Sequence, residues 1–177
     1  MSVRAGGSDS GSHCHALLAK ISFPDRDVSL LVALGMEAST TTPPAGMETI
    51  WKIVTPDDLA AWNASGVMTG SDLDEADGFL HSSNGAMVKK VASMFFGDRG
   101  DCLLLKMVPG SWDRTVTWVS EEPEGKKPPT DGGVVIHYLN DGCSHVFSTE
   151  PLPMSLVVEA LPMLLGEDGA HVFPDGV

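Results

Sequence analysis

Ile50-Trp51-Lys52-Ile53-Val54 runs without a break into Thr55-Pro56-Asp57-Asp58, and this junction restricts the fold more than any other stretch. Apart from one lysine, the first five residues are β-branched or aromatic, the composition of a strand. The next four begin a helix in several agreeing ways. Thr55 can cap it, Pro56 suits a first turn that needs no backbone donor, and two acids face the positive end of the dipole. Leu59 and Trp62, three apart, give this helix a buried stripe, and Gly66 supplies a left-handed stop.

Downstream, Thr69 to Gly78 (TGSDLDEADG) reads as a solvated, turn-forming acidic loop. A calcium loop starting at Asp72 would need glycine at 77 and glutamate at 83, where Asp77 and Ser83 stand. Gly78 to Ser82 is a short strand. From Ser83 or Asn84 a second helix runs through Met87, Val88, Val91, Met94 and Phe95, and Gly97 ends it. Strands are predicted at Cys102 to Val108, apolar on both faces as in a central strand, and at Thr115 to Val119. Further strands fall at Val134 to Leu139, Ser144 to Phe147, Ser155 to Leu161 and in the closing His171 to Pro174. Glu121 to Gly133 is a polar, proline-rich loop. Two helices early and strands late predict an α+β fold rather than a doubly wound parallel sheet. Residues 1–12 are Gly/Ser-rich and Ser39 to Gly46 carries two prolines. The reading is a flexible extension and linker over 1–46 and a single globular domain over 47–177.

Charge narrows the function. The 177 residues carry 11 Lys and Arg against 24 Asp and Glu, a formal net charge of −13 that argues against a nucleic-acid partner. No apolar run approaches the ~20 residues of a membrane span. Cysteines 14, 102 and 143 are odd in number and widely spaced. That favours a reducing, intracellular, cytoplasmic setting, while Arg4, Lys20 and Arg26 among small residues leave an organellar leader open. His13, Cys14 and His15 lack a fourth ligand nearby, so no metal site is expected. Arg99-Gly100-Asp101 reads as a turn between helix and strand.

Period-two alternation puts Phe79 and His81 on one face and Leu80 and Ser82 on the other. His81 then lines a pocket, where it can bond a ligand, move a proton or satisfy a carbonyl. The Ser82 and Ser83 hydroxyls lie beside a helix start, where free N–H groups can bind an anion. Lys52 is either an outward-facing side chain or an anion ligand near the sheet's mouth. Arg114 and Tyr138 are lesser candidates of the same kind. No phosphate-binding glycine motif, G-x-S-x-G elbow or H-E-x-x-H occurs.

The stretch WKIVTPDDLAAWNASGVMTGSDLDEADGFLHSS resembles the opening of a family known as domain of unknown function 952. The family hallmark D-G-F-I-H-L-S falls on Asp77, Gly78, Phe79, Leu80, His81 and Ser83, with Ser82 replacing an apolar residue. The likeness continues through FFGDRGDCLLLKM and Trp118. It also takes in SHVFSTEPLPMSLVVEALPM, which places His145 on the second family histidine, and EDGAHVFP, so that about residues 50 to 174 are covered. Met87 stands where a glutamine is usual, Phe147 where a tyrosine is, and Ser148 where a glycine is. Val119 replaces an acid for which Glu121 or Glu122 could stand in, and residues 125 to 143 look inserted. The resemblance implies a bent, split, antiparallel-rich β-structure similar to ADP-ribosyltransferases and tRNA 2′-phosphotransferases, with a cleft for NAD. It implies His81 and His145 as a catalytic pair, possible ADP-ribosyl-transfer-type chemistry, and Lys52, Phe79, Ser82 and Ser83 as ligand-binding residues. The departures imply an alternative, a non-catalytic interaction or scaffold module with a protein partner on the 121–143 loop.

Overall fold

The junction at residue 54 forms as its residues dictate. Strand β1 (Ile50–Val54) passes into helix α1 (Pro56–Ser65) through a capping box: the Thr55 hydroxyl accepts the Asp58 N–H at 3.1 Å and donates to the Asp58 carboxylate at 2.7 Å. Gly66 closes the helix in the left-handed region at φ 77°. This computed structural model describes residues 40–123 and 133–177, which lie in the second of the chain's two units, Glu37–Val177. The backbone of Thr40 exchanges hydrogen bonds with that of Trp118 at 3.0 and 2.7 Å.

One expected loop is partly helix. Within Thr69 to Gly78, helix α2 (Asp72–Asp77) is nucleated by a second capping box, Ser71 with Asp74, and stopped by Gly78 at φ 82°. The acids are therefore not uniformly solvated, because the box turns Asp74 inward. Helix α3 (Gly85–Phe95) begins at Asn84, whose side-chain oxygen accepts the Met87 N–H at 2.9 Å. The described chain thus has three α-helices where two were expected. The remaining strands are β2 (Val67–Met68), β3 (Leu80–Ser83), β4 (Leu103–Met107), β5 (Val116–Val119), β6 (Val134–Tyr138) and β7 (Cys143–Ser148), followed by β8 (Leu152–Pro153), β9 (Val157–Pro162), β10 (Leu164–Leu165) and β11 (His171–Val172). Met154–Leu156 form a 3-10 turn before β9, so Ser155 and Leu156, expected as strand, precede it. Arg99 and Asp101 close the predicted turn with a two-pronged, exposed ion pair.

Seven strands form one sheet in the order β5-β6-β7-β3-β1-β4-β9, all neighbours antiparallel except β5 and β6. Two short ladders, β2 with β8 and β10 with β11, lie outside it. The architecture is α+β and antiparallel-rich, with open rather than closed sheets. Ile50, Val54, Leu105, Trp118, Ile136 and Val146 form a core on one face, joined by Trp62 of α1. On the other, Trp51 and Leu104 meet Val88 and Ala92 of α3. Leu104 and Leu105 are thus buried on opposite faces, which explains the unbroken apolar run of β4. Among the described residues, no helix is long and apolar enough to cross a membrane.

The turn between β6 and β7 locks α3 to the sheet. Asn84 N–H donates to the Gly142 carbonyl at 2.8 Å, and a Cβ on Gly142 would lie 2.5 Å from the Asn84 side-chain oxygen. Gly142 also has φ +98°. Gly142→Ala is expected to cost about 2–3 kcal/mol in urea denaturation, summing left-handed strain and a displaced cap. Gly46→Ala, at φ +82° with open space around it, should cost only about 1 kcal/mol.

Candidate functional site

Asp74 is the hub of the site. Its Oδ2 accepts from the Ser71 N–H and hydroxyl, both at 2.8 Å, and from the Lys52 ammonium at 2.7 Å. Its Oδ1 accepts the His81 backbone N–H at 2.8 Å and faces His81 Nδ1 at 2.9 Å. Lys52 Nζ also donates to the His81 carbonyl at 3.2 Å. Asp74 is 3% exposed and Lys52 5%. Burial alone would raise the Asp74 pKa. The hydrogen bond from His81 and the charge of Lys52 outweigh it and hold the carboxyl well below the usual range.

This ion pair occupies a gap in the sheet. Strands β3 and β7 pair over four registered positions, but β3 meets β1 only at Ser83 and Trp51. A strand residue turns its N–H and C=O toward the same neighbour. For His81 those groups meet the Asp74 carboxylate and the Lys52 ammonium instead of a strand.

Register then assembles the imidazoles. His81 pairs with His145, and His145 with His137, so three rings from three adjacent strands share one face. Ring centroids are 5.6 Å apart for His81 and His145 and 5.4 Å for His145 and His137, edge to face in both cases. Phe79 stacks on His145 at 4.1 Å and tilts against His81 at 4.7 Å. His81 Nε2 lies 3.3 Å from the Asp77 carboxylate, so the ring stands between two acids. Burial pushes the His137 pKa down, opposed by the Glu122 charge and a Ser120 backbone hydrogen bond. Of the two glutamates considered, Glu122 is therefore the one whose charge reaches this row.

The other candidates are distributed unevenly. Ser82 is buried on the opposite face with its hydroxyl 2.7 Å from that of Ser144, and Ser83 is buried opposite Trp51. Asn84, not a serine, caps α3. Lys52 is not outward-facing, since it is buried with its ammonium committed to Asp74 and the His81 carbonyl. Tyr138 turns away from His137 toward Trp118. Arg114 stands half-buried ahead of β5. A cavity of about 240 Å³ is lined by Phe79 and Asp74 but by neither His81 nor His145. Among the described residues no group of three or more side chains is arranged to hold a metal ion. His13, Cys14 and His15 lie outside the described residues.

Sequence reasoning missed Asp74 and His137. The first carried a signal, because Ser71-x-x-Asp74 is a capping pattern that orients the acid. The second carried none, since its place beside His145 follows from strand register.

Asp74→Ala would bury an unpaired Lys52 and strand the His81 N–H, a loss expected at about 3–5 kcal/mol in chemical denaturation. The pH dependence has two stages. His137 binds its proton less readily folded than unfolded, so stability present above its ordinary pKa of 6.5 should decline as pH falls below it. His137→Phe should remove that first decline. Asp74 is also depressed, so its contribution is full above the ordinary 3.8 and is lost only in stronger acid.

No curated protein matches the chain. Among solved structures, the crystal structure of protein CC0527 from Caulobacter crescentus is 25% identical, covering 70% of this chain and 93% of that one, with a TM-score of 0.47. The solution NMR structure of the same protein is 26% identical over 70% of this chain and 90% of that one, again with a TM-score of 0.47. The model of the family described as protein of unknown function DUF952 matches residues 53–160, more than half of the chain, and the chain belongs to that family.

Proposed function

We propose that the sheet face carrying His81, His145 and Phe79 binds a small ligand. The candidate implied by the family's likeness to ADP-ribosyltransferases is NAD or another ADP-ribose-like molecule. The observation that carries the reading is the meeting of two histidines 64 positions apart in the chain, with ring centroids at 5.6 Å and both packed against Phe79. Asp74 fixes the orientation of the His81 ring, which suits it to bond a ligand hydroxyl or carry a proton.

Binding is better supported than turnover. Transfer of ADP-ribose would require the site to stabilise charge as a glycosidic bond breaks, and only fold analogy speaks for that step. Lys52, the residue considered for a pyrophosphate, already neutralises Asp74. The 240 Å³ cavity is smaller than the roughly 300–1,000 Å³ usual for drug-sized ligands, so a dinucleotide would have to lie along the histidine face.

A second reading, a scaffold that kept the fold and lost part of its pocket, draws on Met87 and Phe147. At 7% and 0% exposed, they fill with apolar volume the positions where the family resemblance expects polar groups. The loop considered for a protein partner falls partly outside the described residues, at 124–132.

Melting temperature and imidazole NMR shifts, followed while NAD and ADP-ribose are titrated, separate the two. Ligand binding predicts stabilisation at millimolar concentrations and at least about tenfold weaker binding in His145→Ala, a loss of about 1.4 kcal/mol. Absence of any shift with either compound favours the scaffold.

A further inference from the structure

We infer that His137 belongs to the same binding face and supplies it with a hydrogen-bond acceptor, so that the ligand presents an N–H or O–H group there. This role rests on the reading of the histidine face as a ligand site. β6 places His137 opposite His145 of β7, which stands opposite His81 of β3. The three rings share one side of the sheet, and those of His137 and His145 meet edge to face with centroids 5.4 Å apart. A ligand seated against His81 and His145 therefore has His137 as its next neighbour along the row. On the far flank the registered residue is Val119 of β5, whose side chain can neither donate nor accept.

The surroundings of the ring decide what it offers. His137 is 9% exposed, and among the described residues its buried Nδ1 meets no hydrogen-bond partner. Leaving such an atom unpaired is unfavourable. An aliphatic side chain, like the buried Val134 and Ile136 of the same strand, would avoid that cost, so stability alone does not account for a histidine here. Burial favours the uncharged ring, and a neutral imidazole that donates one N–H to the Ser120 backbone holds a lone pair on its other nitrogen. Glu122, whose charge reaches the ring, cannot fill that place, because an ionised carboxylate only accepts. An ionised phosphate or carboxylate on a ligand fails for the same reason. An amide, an amine or a hydroxyl completes the bond.

The test uses the full-length protein with nicotinamide, the amide-bearing end of NAD, and with 3-acetylpyridine, in which a methyl group replaces the amide NH2 and the donor is lost. Affinities are read by NMR titration, with the imidazole nitrogen resonances reporting contact. Nicotinamide should bind at millimolar concentration and shift His137 Nδ1 together with the His145 ring. In the parent, 3-acetylpyridine should bind at least about tenfold more weakly. In His137→Phe, which keeps a ring but cannot accept, the preference should fall below about twofold. The comparison in the parent and the His137 shift decide the matter even if that variant does not fold. The proposal is overturned if nicotinamide shifts His81 and His145 but not His137 Nδ1, if the two compounds bind the parent equally, or if the preference survives in His137→Phe. Each of these results leaves the histidine face standing as a ligand site. Binding of neither compound also overturns the proposal, and the reading of the face falls with it only if NAD and ADP-ribose produce no shift either.

Discussion

A buried ion pair standing where a backbone ladder would otherwise run is the constraint on which this structure depends. Strands β1 and β3 touch at one registered pair, and beyond it the His81 peptide groups have no strand to bond. An orphaned buried N–H or C=O costs about 1–3 kcal/mol, so a sheet that opens needs substitutes. Lys52 and Asp74 supply a donor and an acceptor at 3.2 and 2.8 Å. Burying two charges is itself unfavourable unless their remaining hydrogen-bond sites are filled. Five polar contacts converge on the Asp74 carboxylate, two of them from the serine that caps its own helix. The capping box thus does more than start α2, because it presents one acid to a gap in a sheet.

The histidine row follows from that arrangement. With its backbone held toward the ion pair, His81 keeps its β7 register opposite His145, and the alternation of β6 adds His137 on the same face. The surroundings of the three imidazoles differ. His81 has a carboxylate within reach of each ring nitrogen, whereas burial favours neutral His137. His145 lies between them with one face against Phe79. The row therefore has one end met by acids and one end that burial keeps uncharged.

Local chemistry was legible in the sequence. Residues 50–54, the α1 cap and the apolar run of β4 each follow from propensity or capping over a few positions, and each stands where expected. The pairing of Phe79 with His81 on one face needed only the two-residue period. Asp74 was hidden by composition, since an acid-rich, glycine-bounded segment reads as solvated unless its capping pattern is given more weight than its charge. Lys52 was ambiguous for a physical reason: alternation tells which face it takes but not that an acid 22 positions later waits there. His137 could not be found by any local rule. Ser82 was read with Ser83 as an anion site beside a helix start, and nothing local signalled that its hydroxyl is taken up by that of Ser144, 62 positions later.

Asp74 ties the histidine face to the interior of the sheet, with Oδ1 bonded to His81 and Oδ2 to Lys52. Because the carboxylate is held ionised far into acid, this link keeps its charge over the range in which buried His137 gains its proton. The same ion pair that closes the gap in the sheet therefore holds the His81 end of the row in place while the His137 end changes charge.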